Sequence, residues 1–144
     1  MVGQQLLNPS FGLQPGDFIA GVAQGQNATF ATLKAHAGGG AAAGTPVPPT
    51  AKFINIGTVA TAADSLLLPF AIPGQEKWFF NNTATSATIY AQTALNPISG
   101  IADAINTGAS GAGQVSAASF AIAAGVRQVY FCSVAGQWSV VMSA

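Results

Sequence analysis

From residue 51 to residue 142 the chain is broken at short intervals by turn signals, and this punctuation limits its fold more than any other feature. Phe53–Val59 alternates, and Asp64-Ser-Leu-Leu-Leu-Pro69 is a short apolar run ended by proline. Ile72-Pro73-Gly74-Gln75 has Pro then Gly at the central positions of a type II turn. Lys77–Phe80 reads as a strand that stops at the turn pair Asn81-Asn82, and Ser86–Ala91 alternates again. Val115–Ile122, Val126–Cys132 and Gln137–Met142 complete the series, separated by Ala123-Ala124-Gly125 and Ala135-Gly136. Short β-prone runs bounded by such turns predict an all-β sandwich, jelly roll or barrel. No amphipathic stretch long enough for a crossover helix lies between them, so the pairing expected is antiparallel.

The first fifty residues differ in texture. Residues 1–20 scatter Leu6, Leu7, Phe11, Leu13, Phe18 and Ile19 among prolines and glycines, with neither a helical nor a strand period. Disordered tails are usually charged and poor in large hydrophobes. An extended arm laying single hydrophobes into pockets on a neighbour fits this stretch better. One strand is possible at 26–34. Residues 37–50, AGGGAAAGTPVPPT, read as a Gly/Pro-rich linker or long loop. The division expected is therefore an arm and linker over 1–50 and an all-β domain over 51–144. For that domain the core expected is Leu67, Trp78, Phe80, Ile89, Tyr130 and Trp138, and residues 93–114 read as a long loop.

Composition narrows the function. Four Lys or Arg and four Asp or Glu make only 6 % of the 144 residues, against roughly 25 % in an average soluble domain. A surface so poor in charge keeps free monomers apart badly, which fits a chain covered by other subunits. Val126–Cys132 carries hydrophobes on both faces, as a sheet would if it packed on its own core and on a neighbour. Lys34, Lys52, Lys77 and Arg127 are scattered rather than clustered, so no nucleic-acid footprint forms. Residues 1–18 are not expected to act as a signal peptide, and no apolar run reaches membrane-spanning length.

Catalytic sets are missing as well. His36, the one histidine, borders the glycine run, far in sequence from any activated nucleophile. The Gly-rich run lacks the Lys-Ser/Thr of a phosphate loop. Asp17, Asp64, Glu76 and Asp103 read as solvated charges rather than a carboxylate pair. His36 with the lone Cys132 makes no zinc set, and Asp103 with Asn106 is too little for calcium. No catalytic residue, metal, cofactor or small-molecule substrate is expected.

Several of these pieces recur in a fixed order. Asp64-x-x-x-Leu68-Pro69 is followed by Asn82 with Ile89-Tyr90, then by Cys132-x-x-x-Gly136-x-Trp138. In this order, from about residue 53 to residue 142, the chain resembles a β domain of tailed-bacteriophage virion proteins, the capsid decoration (cement) and head-fibre proteins. The resemblance implies a homotrimer that binds the major capsid protein of an assembled icosahedral shell. It also implies location on the virion surface after assembly in the host cytoplasm. The usual pattern is shorter where residues 93–114 lie here, and it supplies no catalytic residue to carry over. A tail or head-fibre module that recognises a host receptor is the alternative. Leu6, Leu7, Phe11, Leu13, Phe18 and Ile19 are the expected contacts with capsid or neighbouring subunits.

Overall fold

The computed structural model describes residues 29–109 and 113–142. The expected arm contacts Leu6, Leu7, Phe11, Leu13, Phe18 and Ile19 lie outside the described residues. Eleven strands and no helix are found within them: β1 (Thr29–Lys34), β2 (Thr45–Pro46), β3 (Ala51–Thr58), β4 (Ser65–Leu67), β5 (Glu76–Asn81), β6 (Ala87–Tyr90), β7 (Ala104–Ala109), β8 (Gly113–Ala117), β9 (Ser119–Ile122), β10 (Arg127–Val134) and β11 (Gln137–Met142). The all-β class follows directly. The strands form a seven-stranded sheet in the order β1-β3-β5-β10-β11-β7-β8 and a four-stranded sheet in the order β2-β4-β6-β9.

The expected antiparallel pairing is corrected by the register. β1–β3, β3–β5, β2–β4, β4–β6 and β7–β11 are parallel; β5–β10, β10–β11, β6–β9 and β7–β8 are antiparallel. A parallel pair needs a crossover, which is usually a helix. For the four parallel pairs among β1–β6 the crossover is a strand of the other sheet. From β1 to β6 the chain alternates between the two sheets, so each return to a sheet arrives in the same direction as before. This alternation lets a chain without helices build parallel pairs.

Of the two readings of 37–50, the structure shows the long loop, which carries the short β2 and packs against the fold. The His36 N–H donates to the Ser65 carbonyl at 2.9 Å and the Ser65 N–H returns the bond at 3.0 Å. Ala35 and Val47 are buried, and β2 pairs with β4. The glycines permit this closeness: a Cβ at Gly39 would lie 2.1 Å from the Ser65 hydroxyl. Since β1 pairs with β3, residues 29–50 share one hydrophobic core with the strands after 51. Within 93–114 the chain forms β7 and β8 instead of continuous loop, and the single strand expected over Val115–Ile122 divides at Ala118 between the two sheets. The Ile72–Gln75 turn forms as expected, with Gly74 at φ 91° and the Gln75 N–H on the Ile72 carbonyl at 3.1 Å.

The core draws on both sheets: Ile54, Ile56, Phe79, Tyr130, Trp138 and Ile105 from the larger, Leu66, Ile89 and Ile122 from the smaller. Ile89, Tyr130 and Trp138 are fully buried. Tyr130 meets Phe79 edge-on at 5.2 Å, and the Trp138 indole N–H donates to the Pro69 carbonyl at 3.3 Å. Leu67, Trp78 and Phe80 are not core residues; they are only half-buried. In β5 the inward positions are Lys77, Phe79 and Asn81, which leaves Trp78 and Phe80 on the outer side. An apolar run has no period to fix its facing, and here two polar residues take the inside because each finds partners there. The Lys77 ammonium donates to the carbonyls of Pro48, Pro49 and Ala51. The Asn81 amide donates to the carbonyls of Thr85, Ile122 and Ala123 and accepts from the Thr83 N–H and hydroxyl.

Candidate functional site

Alternation along the strands has a direct consequence for the surface. The residues displaced from the core in β5 line up with apolar residues on its neighbours. Phe30 of β1 is opposite Phe53 of β3, Phe53 opposite Trp78, Trp78 opposite Val129 of β10, and Val129 opposite Val141 of β11. This one row crosses five strands, or about 19 Å at a spacing of about 4.8 Å. Phe80 lies beside it on one side and Phe131 on the other. Phe30 is 79 % exposed, and Phe131 and Val141 are exposed too. The rings form a connected set: Phe30 stacks on Phe53 at 5.1 Å, and Phe53 is 6.0 Å from Trp78 and 6.4 Å from Phe80.

Polar groups frame the row and are mutually satisfied. Lys52 and Glu76 form an ion pair at 2.8 Å, and the Trp78 indole N–H donates to Glu76 Oε1 at 2.8 Å. Lys52 holds the Glu76 carboxyl below the usual carboxylate range, with the indole bond adding to the effect against partial desolvation. Lys52 also approaches the Phe53 ring at 6.0 Å, and the Arg127 guanidinium the Phe80 ring at 6.0 Å. The Asn82 amide donates to Asn55 Oδ1 at 2.6 Å.

A second exposed apolar cluster sits on the loop between β6 and β7. Leu95, Ile98 and Ile101 are 70 %, 61 % and 58 % exposed. Their loop is held from beneath by two buried side chains. The Asn96 amide donates to Asp103 Oδ1 at 2.8 Å and to the Ala71 carbonyl at 3.0 Å, while Asn96 Oδ1 accepts from the N–H groups of Ile98 and Ser99. The other Asp103 oxygen accepts from the Ala71 N–H at 2.6 Å. Main-chain bonds from Asn96 N–H to Ile101 carbonyl and from Gly100 N–H to Asn96 carbonyl, 2.9 Å each, close the loop. It leans on the β10–β11 hairpin, where a Cβ on Gly136 would meet Ser99 Oγ at 2.7 Å, and exposed Val134 stands on that hairpin.

The titratable residues occupy other places. His36, Asp64 and Ser65 do come together. The Ser65 hydroxyl is buried and donates to the Gly40 carbonyl at 3.2 Å. The Asp64 carboxylate accepts from the Thr61 hydroxyl and the Ala60 N–H, both at 2.7 Å, and from the Gly38 N–H at 3.4 Å. The Thr61 bond leads in holding the Asp64 carboxyl below its ordinary range, with partial burial opposing and the N–H groups adding to the fall. These bonds clamp the glycine-rich stretch to the turn before β4. Asp103 serves the loop network, and Lys77 serves the residues 48–51. Burial pushes the Lys77 ammonium down to about 8 and raises the Cys132 thiol. No group of three His, Cys, Asp or Glu suited to a metal occurs among the described residues.

Sequence reasoning placed apolar side chains on both faces of β10 but missed the row, because it assigned Trp78 and Phe80 to the core. What turns the aromatics outward is the burial of Lys77 and Asn81, and only their partners, distant in sequence, reveal it. No family profile, characterised protein or solved structure matches this chain.

Proposed function

We propose that this chain is a non-enzymatic structural subunit that works by docking. The reading places it on a tailed-phage virion as a capsid decoration (cement) protein. The observation that carries the docking role is the aromatic row on the outer face of the seven-stranded sheet. An exposed row of this extent is costly to leave in water and marks an interaction site. The ordered residues of Asp64–Trp138 support the phage assignment through their resemblance to virion β domains. In this reading the two sheets act as a sandwich-like module, subunits form a homotrimer, and the trimer binds the major capsid protein of the assembled shell. Binding to the assembled lattice alone stabilises it by mass action.

Half-exposed Trp78, with Glu76 and Asn55 near the same row, gives the alternative of a receptor-binding tail or head-fibre module its best support. One experiment separates the two. Purified chain is mixed with capsids lacking it and sedimented. Saturable co-sedimentation is expected, weakened by removal of residues 1–20 and by Phe30→Ser with Phe131→Ser. Failure of the intact chain to co-sediment at any concentration, with binding to host cells instead, sinks the decoration reading in favour of the receptor module.

A further inference from the structure

The molecule exposes two apolar surfaces of different make-up: an aromatic row across the seven-stranded sheet and an aliphatic cluster on the loop between β6 and β7. We infer that they are partners, so that the loop Leu95–Ile101 of one copy seats on the aromatic row of the next. This rests on the reading that the chain is a subunit of a larger assembly, and it specifies how its copies join.

Charge weighs against packing one row on another. Lys52, Glu76 and Arg127 frame the row. Packing one row on another would bring both copies' sets into one interface, with the desolvation cost of six charged groups. The loop brings none: from residue 93 to residue 102 it holds no charged side chain. Lys52 and Glu76 already satisfy one another at 2.8 Å and need nothing from the incoming surface. Shape agrees with charge. Asn96 and Asp103 fix the loop backbone from below, so little ordering is needed when Leu95, Ile98 and Ile101 meet the row. The row offers ring faces and edges over which aliphatic groups bury readily.

A contact between two unlike surfaces that is not reciprocated about a two-fold axis is heterologous. Such contacts propagate head to tail and close into rings when the rotation permits. The loop brings three exposed aliphatic side chains to each joint, so association is weak pairwise and strengthened by closure. A row-on-row contact would stop at a dimer.

Sedimentation velocity over a concentration series tests this with two full-length variants. The loop variant carries Ile98→Asp and Ile101→Asp; the row variant carries Phe30→Asp and Phe131→Asp. All four positions are exposed, and thermal unfolding checks each fold; serine at the same positions is the milder second set. The intact chain should grow beyond a dimer with concentration, and each variant should lose self-association by about tenfold or more. Their equimolar mixture should recover heterodimers, because one supplies an intact row and the other an intact loop. A loop variant that dimerises like the intact chain overturns the inference in favour of row-on-row packing, and a row variant that does so overturns it in favour of loop-on-loop packing. An intact chain that stays monomeric at all concentrations, or a mixture without recovery, also overturns it. Self-association of this kind without capsid binding would uphold the inference and refute the decoration reading alone.

Discussion

Lys77 is the residue on which the interior depends in the least expected way, and Lys77→Met tests that dependence. The ammonium is buried and reaches three main-chain carbonyls, those of Pro48, Pro49 and Ala51. Among the described residues it pairs with no carboxylate. Methionine keeps much of the stem's volume and removes every donor. The Pro48 carbonyl still accepts from the Ala51 N–H at 3.1 Å. The other two lose a charged donor, at about 1–2 kcal/mol each for a buried acceptor, so the variant should be about 2–4 kcal/mol less stable. For a domain of this size that is a fall in Tm of about 6–16 °C. Urea unfolding followed by tryptophan fluorescence measures it. The pH dependence supplies a second readout. Burial holds the folded pKa at about 8, below the unfolded value of about 10.4. Between these values the unfolded chain binds more protons than the folded one, so Lys77 makes stability rise with pH. The intact chain should gain on Lys77→Met over that window. Equal stability of the two proteins, or a difference flat from pH 7 to 10.5, refutes this account of Lys77.

Trp138→Ala should cost about 3–5 kcal/mol, since it empties the largest fully buried site; chemical denaturation gives the value. Gly39→Ala should destabilise by about 1–3 kcal/mol, because the new Cβ would overlap the Ser65 hydroxyl, and a Ser65→Ala background should recover part of the loss. Asn96→Ala should speed hydrogen exchange at the amides of Ile98 and Ser99, which lose their acceptor, while amides in β5 and β10 keep their protection. Val141→Thr should change stability by less than about 0.5 kcal/mol, because the side chain is exposed.

The strand ends beside the strongest turns could be read from the sequence, whereas β2, β7, the division between β8 and β9, and the pairing direction could not. Pro73-Gly74, Asn81-Asn82, Gly125 and Ala135-Gly136 mark strand ends by local chemistry, and the strands end beside them. Pairing direction depends on which strands meet, and no local residue records that the chain moves to the other sheet between β1 and β3. The glycine run was misleading for a related reason. Gly39 reads as flexibility in sequence, but in the fold it allows the backbone to approach Ser65. The facing of β5 was hidden because either alternation of Lys-Trp-Phe-Phe leaves at least one aromatic inside; only the partners of Lys77 and Asn81, distant in sequence, settle it. The loop 95–101 was legible as a surface loop, but its rigidity comes from Asn96 and Asp103 meeting Ala71 across the fold.

The interior and the surface have exchanged part of their usual contents, and the exchange bears on the proposal that this chain works by docking. Of the eight charged residues, Asp64, Lys77 and Asp103 are buried and consumed by main-chain and loop contacts. Asp17 lies outside the described residues. That leaves Lys34, Lys52, Glu76 and Arg127 to keep the described surface hydrated, and two of these are paired with each other. Over the same surface stand Phe30, Leu95, Ile98, Ile101, Val134 and Val141. Polar side chains that could have improved solubility instead hold the crossovers and the 93–103 loop in place. Such a distribution is a poor design for a free monomer and a workable one for a subunit whose apolar surfaces end up covered.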